Sequence, residues 1–283
     1  MGRNEKEGPE MLLNQNGIFY RKQKAEKPAA SVIMIHGMGA HSGRFEELGA
    51  LLASRRINGY SIELEGHGEL MEGCHRQGHV GSIKVYHRCV KNLKKIVMEE
   101  NPGLPVFMLG ESMGGLIAAA HAASFDRDYA GLVLSAPAFG DKFSWGLKER
   151  LAIFLRSVIS GSFGVKAPYR TEELTSDPVM MEKIRSDKKE HKTASANLLR
   201  EILLSQLGLI FTARRIKAPV LLLLAGKDTV VYNNASLNFF RRLKCAKSLI
   251  TYPEMLHALT IEKARADVFD DIVDWVARKA GQD

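Results

Sequence analysis

Short apolar segments that alternate with amphipathic ones constrain the fold of this chain more than any other feature. Strand-like apolar runs lie at 31–35, 59–64, 105–109 and 131–134. Segments with helical spacing lie between them, at 43–56, 83–97 and 116–123. Continuous apolar strands that alternate with helices form a parallel sheet covered on both faces. The sequence therefore predicts an α/β fold with a mostly parallel central sheet flanked by helices.

This alternation is interrupted once. Residues 138–216 contain helical segments, notably 145–159 and 198–210, and no convincing strand. The sheet pattern resumes with the aliphatic run 220–224. We therefore predict one core formed by 1–137 and 217–283, with a helical cap at 138–216 inserted into it. Near the start of the chain, Asn16-Gly17 between two short apolar stretches predicts a hairpin.

Composition narrows the class of protein. Of the 283 residues 45% are hydrophobic and 25% are charged, which is typical of an ordinary globular protein and excludes wholesale disorder. The net charge of +8 is spread along the chain without a basic stripe interleaved with aromatics, so we expect no nucleic acid partner. The excess of positive charge favours, at most, transient contact of the cap with an anionic lipid interface.

The cysteines and the first residues of the chain indicate the cellular compartment. The chain has an odd number of widely spaced cysteines, Cys74, Cys89 and Cys245, which is typical of free thiols and not of a metal site. Residues 1–9 are polar and lack the apolar segment of a secretory signal. We therefore expect a cytoplasmic protein.

The strongest chemical signal is Gly110-Glu111-Ser112-Met113-Gly114, which matches the G-x-S-x-G nucleophile elbow. In that motif a serine occupies a sharp, strained turn between a strand and a helix, and its near neighbours must be small. A buried strand precedes Ser112 and a small-residue helix follows it, as the motif requires. The context predicts that Ser112 is a nucleophile.

A serine nucleophile needs a base, and the base needs an orienting carboxylate. In this architecture the chain order is serine, then acid, then histidine. Asp228 directly follows the strand 220–224, and His257 lies in the loop before the last helix. We therefore predict a triad of Ser112, Asp228 and His257.

The tetrahedral intermediate also needs hydrogen-bond donors. The residue after the nucleophile supplies one backbone N–H, here that of Met113, and the loop after the first parallel strand supplies the other. In that loop Gly37 and Gly39 flank Met38, so its N–H can turn inward. We predict an oxyanion hole from Met38 and Met113. Because no nucleotide-binding or metal-binding motif is present, we expect neither a cofactor nor a metal.

These residues resemble the α/β-hydrolases, and specifically their monoacylglycerol lipase and lysophospholipase branch. The resemblance covers about residues 10–280. It is carried by 36–39, 41–45, 66–68, 110–115, 174–178, 226–228 and His257. It implies the same roles for Ser112, Asp228, His257, Met38 and Met113. One departure is Glu63-Leu64-Glu65, where the family usually has Asp-x-Arg before Gly-His-Gly.

The cap is expected to select the substrate. Its apolar helices suggest a roof over an acyl tunnel, with five candidate substrate-binding residues: Trp145, Phe154, Leu155, Leu203 and Leu207. With the resemblance, they predict a hydrolase of single-chain acyl esters, such as monoacylglycerols. A lysophospholipase, a general carboxylesterase, an aminopeptidase using Glu63, Glu65 or Glu111, and a noncatalytic binding protein stay open as alternatives.

Overall fold

A computed structural model of the protein describes residues 12–71 and 77–281. Eight strands form one sheet in the order β1-β2-β4-β3-β5-β6-β9-β10. Their bounds are β1 Leu13–Gln15, β2 Ile18–Gln23, β3 Ala30–Ile35, β4 Ile57–Ile62, β5 Val106–Glu111, β6 Gly131–Ser135, β9 Val220–Ala225 and β10 Lys247–Tyr252. In this sheet order, the last six strands pair in parallel with one another: β4, β3, β5, β6, β9 and β10. Strand β2 pairs antiparallel with both β1 and β4. The prediction of a mostly parallel sheet is confirmed.

The first hairpin follows from its turn residues. Asn16 and Gly17 both have positive φ, 55° and 76°, which is the backbone of a two-residue hairpin turn. This turn joins β1 to β2, and β2 then pairs with β4 at the edge of the parallel strands.

Helices cover both faces of the sheet. Their bounds are α1 Glu46–Ser54, α2 Ile83–Glu100, α3 Met113–Ser124, α4 Leu147–Ile159, α5 Pro178–Ser186, α6 Ala196–Thr212, α7 Asn233–Arg242 and α8 Arg265–Lys279. Successive side chains of a strand point to opposite faces. In β3, Ile33 and Ile35 therefore join the apolar layer of α2 and α3, while Val32 and Met34 join that of α1 and α8.

The segment 138–216, called the cap below, lies in the chain between β6 and β9 and contains α4, α5 and α6. The expectation that it holds no strand is wrong. Strands β7, Gly164–Lys166, and β8, Thr193–Ser195, pair antiparallel within it. Three residues are too few to show an alternating pattern, so sequence periodicity could not reveal this pair.

Backbone hydrogen bonds join the cap to the core at several places. The His191 N–H donates to the Gly39 carbonyl at 2.9 Å, and the Ser195 N–H donates to the Gly78 carbonyl at 2.8 Å. The Ala258 N–H donates to the Leu174 carbonyl at 2.8 Å. These bonds attach the cap beside the loops that follow the parallel strands.

Some sequence expectations fall outside the described residues, namely those on Cys74 and on residues 1–9. Cys89 and Cys245 are free thiols. In the ranges 12–71 and 77–281 the structure has no helix that is long and apolar enough to span a bilayer.

Candidate active site

Ser112 lies at the sharp turn between β5 and α3. Its backbone has φ 54° and ψ −117°, a strained conformation for a residue with a side chain. The turn is held by the Ser112 N–H, which donates to the Ser135 carbonyl at 2.9 Å. A Cβ atom on Gly114 would stand 1.9 Å from the Ile35 carbonyl oxygen, so only glycine fits there. This close approach is why the elbow needs a glycine two residues after the serine.

The structure brings the three predicted triad residues together. His257 Nε2 lies 2.9 Å from Ser112 Oγ, and His257 Nδ1 lies 2.8 Å from Asp228 Oδ2. The other carboxylate oxygen of Asp228 accepts from the backbone N–H groups of Val230 and Val231, at 2.8 and 2.9 Å. Asp228 and His257 are both buried. The arrangement can move a proton from the serine hydroxyl to an imidazole whose other nitrogen faces a fixed carboxylate.

Electrostatics favour a charged His257 paired with a charged Asp228. Burial works against protonation of His257, but the charge and hydrogen bond of Asp228, with the charge of Glu111, outweigh it and raise the pKa of His257. Burial also opposes ionisation of Asp228, yet His257 and two backbone N–H groups lower the pKa of Asp228. A proton arriving on His257 is thus stabilised where a serine hydrolase needs it.

Glu111, directly before the serine, is a second buried carboxylate. Its Oε1 accepts from the Thr260 N–H at 3.1 Å and from Ser135 Oγ at 3.2 Å, and its Oε2 accepts from Thr260 Oγ1 at 2.9 Å. Thr260 lies three residues after His257 in a short 3-10 turn. Glu111 therefore connects the nucleophile elbow to the loop that carries the histidine.

The loop after β3 is held by residues of the core and the cap. His36 Nε2 accepts from the Leu64 N–H at 3.2 Å, and its Nδ1 lies 2.9 Å from the Gly37 carbonyl oxygen. Burial, with the charge of His67, lowers the pKa of His36, so this ring is neutral. The Tyr169 hydroxyl, from the cap, donates to the Met38 carbonyl at 3.5 Å. Met38 and Met113, the predicted oxyanion residues, both line the cavity beside Ser112.

That cavity has a volume of about 480 Å³ and lies between the core and the cap. Of the predicted substrate-binding residues, Trp145, Phe154 and Leu203 line it. Leu155 and Leu207 do not line it, and they are 53% and 48% exposed. Adjacent helix positions differ by about 100°, so Phe154 and Leu155 face different directions. Further apolar side chains complete the wall: Phe143, Ile153, Leu199 and Ile202.

The cavity wall also contains an ion pair that sequence reasoning missed. Arg44 Nε and Nη2 donate to the two carboxylate oxygens of Glu190, at 2.6 and 2.8 Å. Arg44 belongs to the core and Glu190 to the cap, and both side chains are largely buried. Because the two are 146 residues apart, no local spacing could have indicated the pair.

The acidic residues that depart from the family pattern lie away from the cavity. Glu63 is buried and accepts from the Ser42 N–H at 3.2 Å, and burial raises the pKa of Glu63 to about 7. The Glu65 carbonyl accepts from the Tyr86 hydroxyl at 2.9 Å. Neither residue lines the cavity, whereas Glu111 does. Within the described part of the chain, no group of three or more His, Cys, Asp or Glu side chains is arranged to hold a metal ion.

Comparison with known proteins agrees with this geometry. Human monoglyceride lipase is 38% identical over 129 residues, 44% of this chain and 42% of that protein. The monoacylglycerol lipase of Mycolicibacterium smegmatis is 23% identical over 88% of each chain. The crystal structure of Paleococcus ferrophilus monoacylglycerol lipase superposes with a TM-score of 0.84 at 22% identity, covering 93% of this chain and 99% of that one. At that identity the superposition shows the fold alone.

The curated relatives match this chain over only part of their own length. The chain aligns with 27%, 46% and 42% of the lengths of the first three of them. The family assignment therefore comes from a longer match. A family model described as serine aminopeptidase, S33, matches residues 26–264, most of the chain. The protein therefore belongs to this family, and it has the α/β-hydrolase fold that it shares with the monoacylglycerol lipase of known structure.

Proposed function

We propose that this protein hydrolyses carboxylic esters of single-chain acyl lipids, above all monoacylglycerols, through an acyl-enzyme on Ser112. One observation carries the proposal. The hydrogen-bonded series from Ser112 through His257 to Asp228 opens into a cavity of about 480 Å³ with apolar walls. Ligand cavities of small lipids and drug-sized molecules have volumes of this order.

The first half of the reaction forms the acyl-enzyme. Ser112 Oγ attacks the ester carbonyl carbon while His257 Nε2, at 2.9 Å, takes the hydroxyl proton. Asp228 stabilises the imidazolium that results. The tetrahedral intermediate collapses when the alcohol oxygen leaves and takes the proton from His257, and the acyl group stays on Ser112 as the acyl-enzyme. Water then gives a proton to His257 and attacks the acyl carbon. When this second intermediate collapses, the fatty acid is released and His257 returns the proton to Ser112 Oγ.

The negative oxygen of each intermediate needs donors already in place. The N–H of Met113 belongs to the first turn of α3, where the helix dipole adds positive potential. The Met38 N–H would supply the second donor. The Met38 carbonyl is held by Tyr169, and Gly39 after it has φ 76° with its carbonyl bonded to His191. These contacts support a preorganised loop at the position that the reaction requires.

The exposed face of the cap supports action at a lipid interface. Eleven large apolar side chains of α4 and α6 are exposed: Leu147, Leu151, Phe154, Leu155, Val158, Ile159, Leu203, Leu204, Leu207, Ile210 and Phe211. Two of them, Phe154 and Leu203, also line the cavity, so this face is continuous with the site. The cap has 14 Lys and Arg against 9 Asp and Glu, which complements an anionic lipid surface.

The test of the function is a substrate series with Ser112→Ala as control. The series contains p-nitrophenyl esters of increasing acyl length, a monoacylglycerol, a lysophosphatidylcholine and an amino-acid arylamide. We expect monoacylglycerol turnover and a medium- or long-chain optimum, both lost in Ser112→Ala, and labelling of Ser112 by a fluorophosphonate. Turnover of only the shortest esters, or of the arylamide, would contradict the lipid assignment. Failure of the label would favour a noncatalytic binding protein.

The interface is tested by flotation with vesicles. We expect binding to vesicles containing phosphatidylglycerol and weaker binding to pure phosphatidylcholine. Replacing Leu147 and Val158 together by serine should reduce binding without altering the cavity, since neither residue lines it. Val179→Ser, an equally exposed change outside α4 and α6, is the matched control. Unchanged flotation of the double variant would refute the assigned face.

Cys89 and Cys245 are free thiols, which agrees with the proposed cytoplasmic location.

A further inference from the structure

The charged side chains of the cavity wall are nearly all paired. Arg44 pairs with Glu190, Arg150 with Asp141, Arg185 with Glu172, and Arg200 with Glu201. Glu111 accepts three hydrogen bonds from Ser135 and Thr260. Lys192 differs from all of these, because its Nζ donates to a neutral oxygen, Thr171 Oγ1, at 2.9 Å. Over the ranges 12–71 and 77–281, the structure shows no ion pair to Lys192.

The surroundings of Lys192 do not neutralise it at short range. Glu172 and Glu173 attract its charge, but Lys166 and Arg185 repel it, and Glu172 is already bound to Arg185. Partial burial is the largest cause that lowers the pKa of Lys192. Among the described residues, this half-buried ammonium contacts a hydroxyl and an aromatic ring, both uncharged, so an anion in the cavity would compensate its charge.

Lys192 is also next to the groups that hold the predicted oxyanion loop. Its neighbour His191 donates to the Gly39 carbonyl, and its Nζ lies 5.9 Å from the centre of the Tyr169 ring. The Tyr169 hydroxyl in turn contacts the Met38 carbonyl. Among the described residues, the Lys192 ammonium contacts Thr171 and Tyr169, which lie outside α4 and α6. If the acyl chain lies against the apolar side chains of α4 and α6, this side of the cavity is left for the alcohol portion of an ester.

From these contacts we infer that Lys192 and Thr171 form a subsite for a phosphate group on the alcohol portion of the substrate. The inference rests on the proposed ester hydrolysis and extends its substrate class. Besides uncharged monoacylglycerols, the cavity accepts monoacylglycerols that carry a phosphate on the glycerol. The ammonium and the hydroxyl each donate one hydrogen bond to phosphate oxygens, and Lys192 sets the preference between charged and uncharged esters.

The test compares two esters with the same octanoyl chain, 1-acylglycerol and 1-acylglycerol 3-phosphate, below their micelle concentrations. Lys192→Met should lower kcat/KM for the phosphate ester by about 10- to 100-fold, the effect of one charge-assisted hydrogen bond. The same variant should change kcat/KM for the uncharged ester by less than about threefold. Lys192→Arg should restore most of the difference. Lys217→Met, a change at an exposed lysine outside the cavity, is the matched control.

Two further arms separate the outcomes. Glycerol 3-phosphate should inhibit hydrolysis of the uncharged ester in the native protein and not in Lys192→Met, which shows whether phosphate binds without an acyl chain. Binding of the phosphate ester to Ser112→Ala, followed by calorimetry, tests the subsite even if the proposed hydrolysis fails. Equal losses for both esters, or equal affinity of Ser112→Ala with and without Lys192→Met, would overturn the subsite.

Discussion

Two buried histidines should make the stability of this protein fall steeply in mild acid. His87 of α2 and His121 of α3 stack at a centroid distance of 5.5 Å with an interplanar angle of 26°. Phe125 stacks on His87 at 4.2 Å. Both ring nitrogens of His121 and Nδ1 of His87 have no hydrogen-bond partner among the described residues. A proton on any of these nitrogens would therefore bring a charge into the interior without a hydrogen-bond acceptor among the described residues.

The magnitude follows from the pKa values. Burial, with the charge of His121, lowers the pKa of His87 from 6.5 to about 3. Burial also outweighs the attraction of Asp126 and, with Lys94 and Lys91, lowers the pKa of His121 to about 4. Below pH 6.5 the unfolded chain binds more protons than the folded one, so stability falls as pH falls toward these values. Integrated from pH 7.5 to 5.0, this difference in proton binding means that each histidine removes about 2 kcal/mol from the free energy of unfolding.

The assay is urea unfolding at pH 7.5 and 5.0 for the native protein, His121→Phe and the double variant with His87→Phe. We expect the loss of unfolding free energy between the two pH values to shrink by about 2 kcal/mol in the single variant and about 4 kcal/mol in the double. Phe125→Leu, which alters the same stack without removing a titrating group, should keep the native pH dependence. If the double variant loses as much stability as the native protein, the assignment to this pair is refuted.

Three further changes address the site. Gly114→Ala should destabilise the protein by about 1–3 kcal/mol, because its Cβ would overlap backbone carbonyl groups, whereas Gly208→Ala on the open face of α6 should be neutral or stabilising in thermal melts. Asp228→Asn should lower kcat by about 10³- to 10⁴-fold in an ester assay while fluorophosphonate labelling persists slowly, and a near-native kcat would contradict its role. Glu111→Gln should move the acid limb of the kcat/KM profile to lower pH, because the charge of Glu111 raises the pKa of His257. It should also lower turnover by roughly threefold to tenfold, and an unmoved profile would leave Glu111 a purely structural role.

Much of the fold could be predicted because its signals are local. A strand buried on both faces must be apolar throughout, and an amphipathic helix must repeat its apolar residues with a period of 3.6. The hairpin turn at Asn16-Gly17 depends only on the positive φ that these two residues tolerate. The signal of the nucleophile elbow is also local, because its strained serine and its crowded glycine lie within a span of five residues.

The predicted order of Ser112, Asp228 and His257 also came from the sequence, because each follows a recognisable strand. Their catalytic roles, like those of Met38 and Met113, stay predictions until the variants are measured. The structure adds their mutual distances, and it shows that the imidazole lies within hydrogen-bond reach of both partners.

Contacts between distant segments were decided by tertiary structure alone. Arg44 and Glu190 are 146 residues apart, and Glu111 and Thr260 are 149 apart, so neither pair has a sequence period. Whether Phe154 or Leu155 faces the cavity depends on how α4 packs against the core. The sequence by itself determined where backbone strain and apolar periodicity place the strands, the helices and the elbow. Only the tertiary structure decided which charges meet and that Lys192 has no acidic partner among the described residues, because electrostatic pairing depends on distance through space.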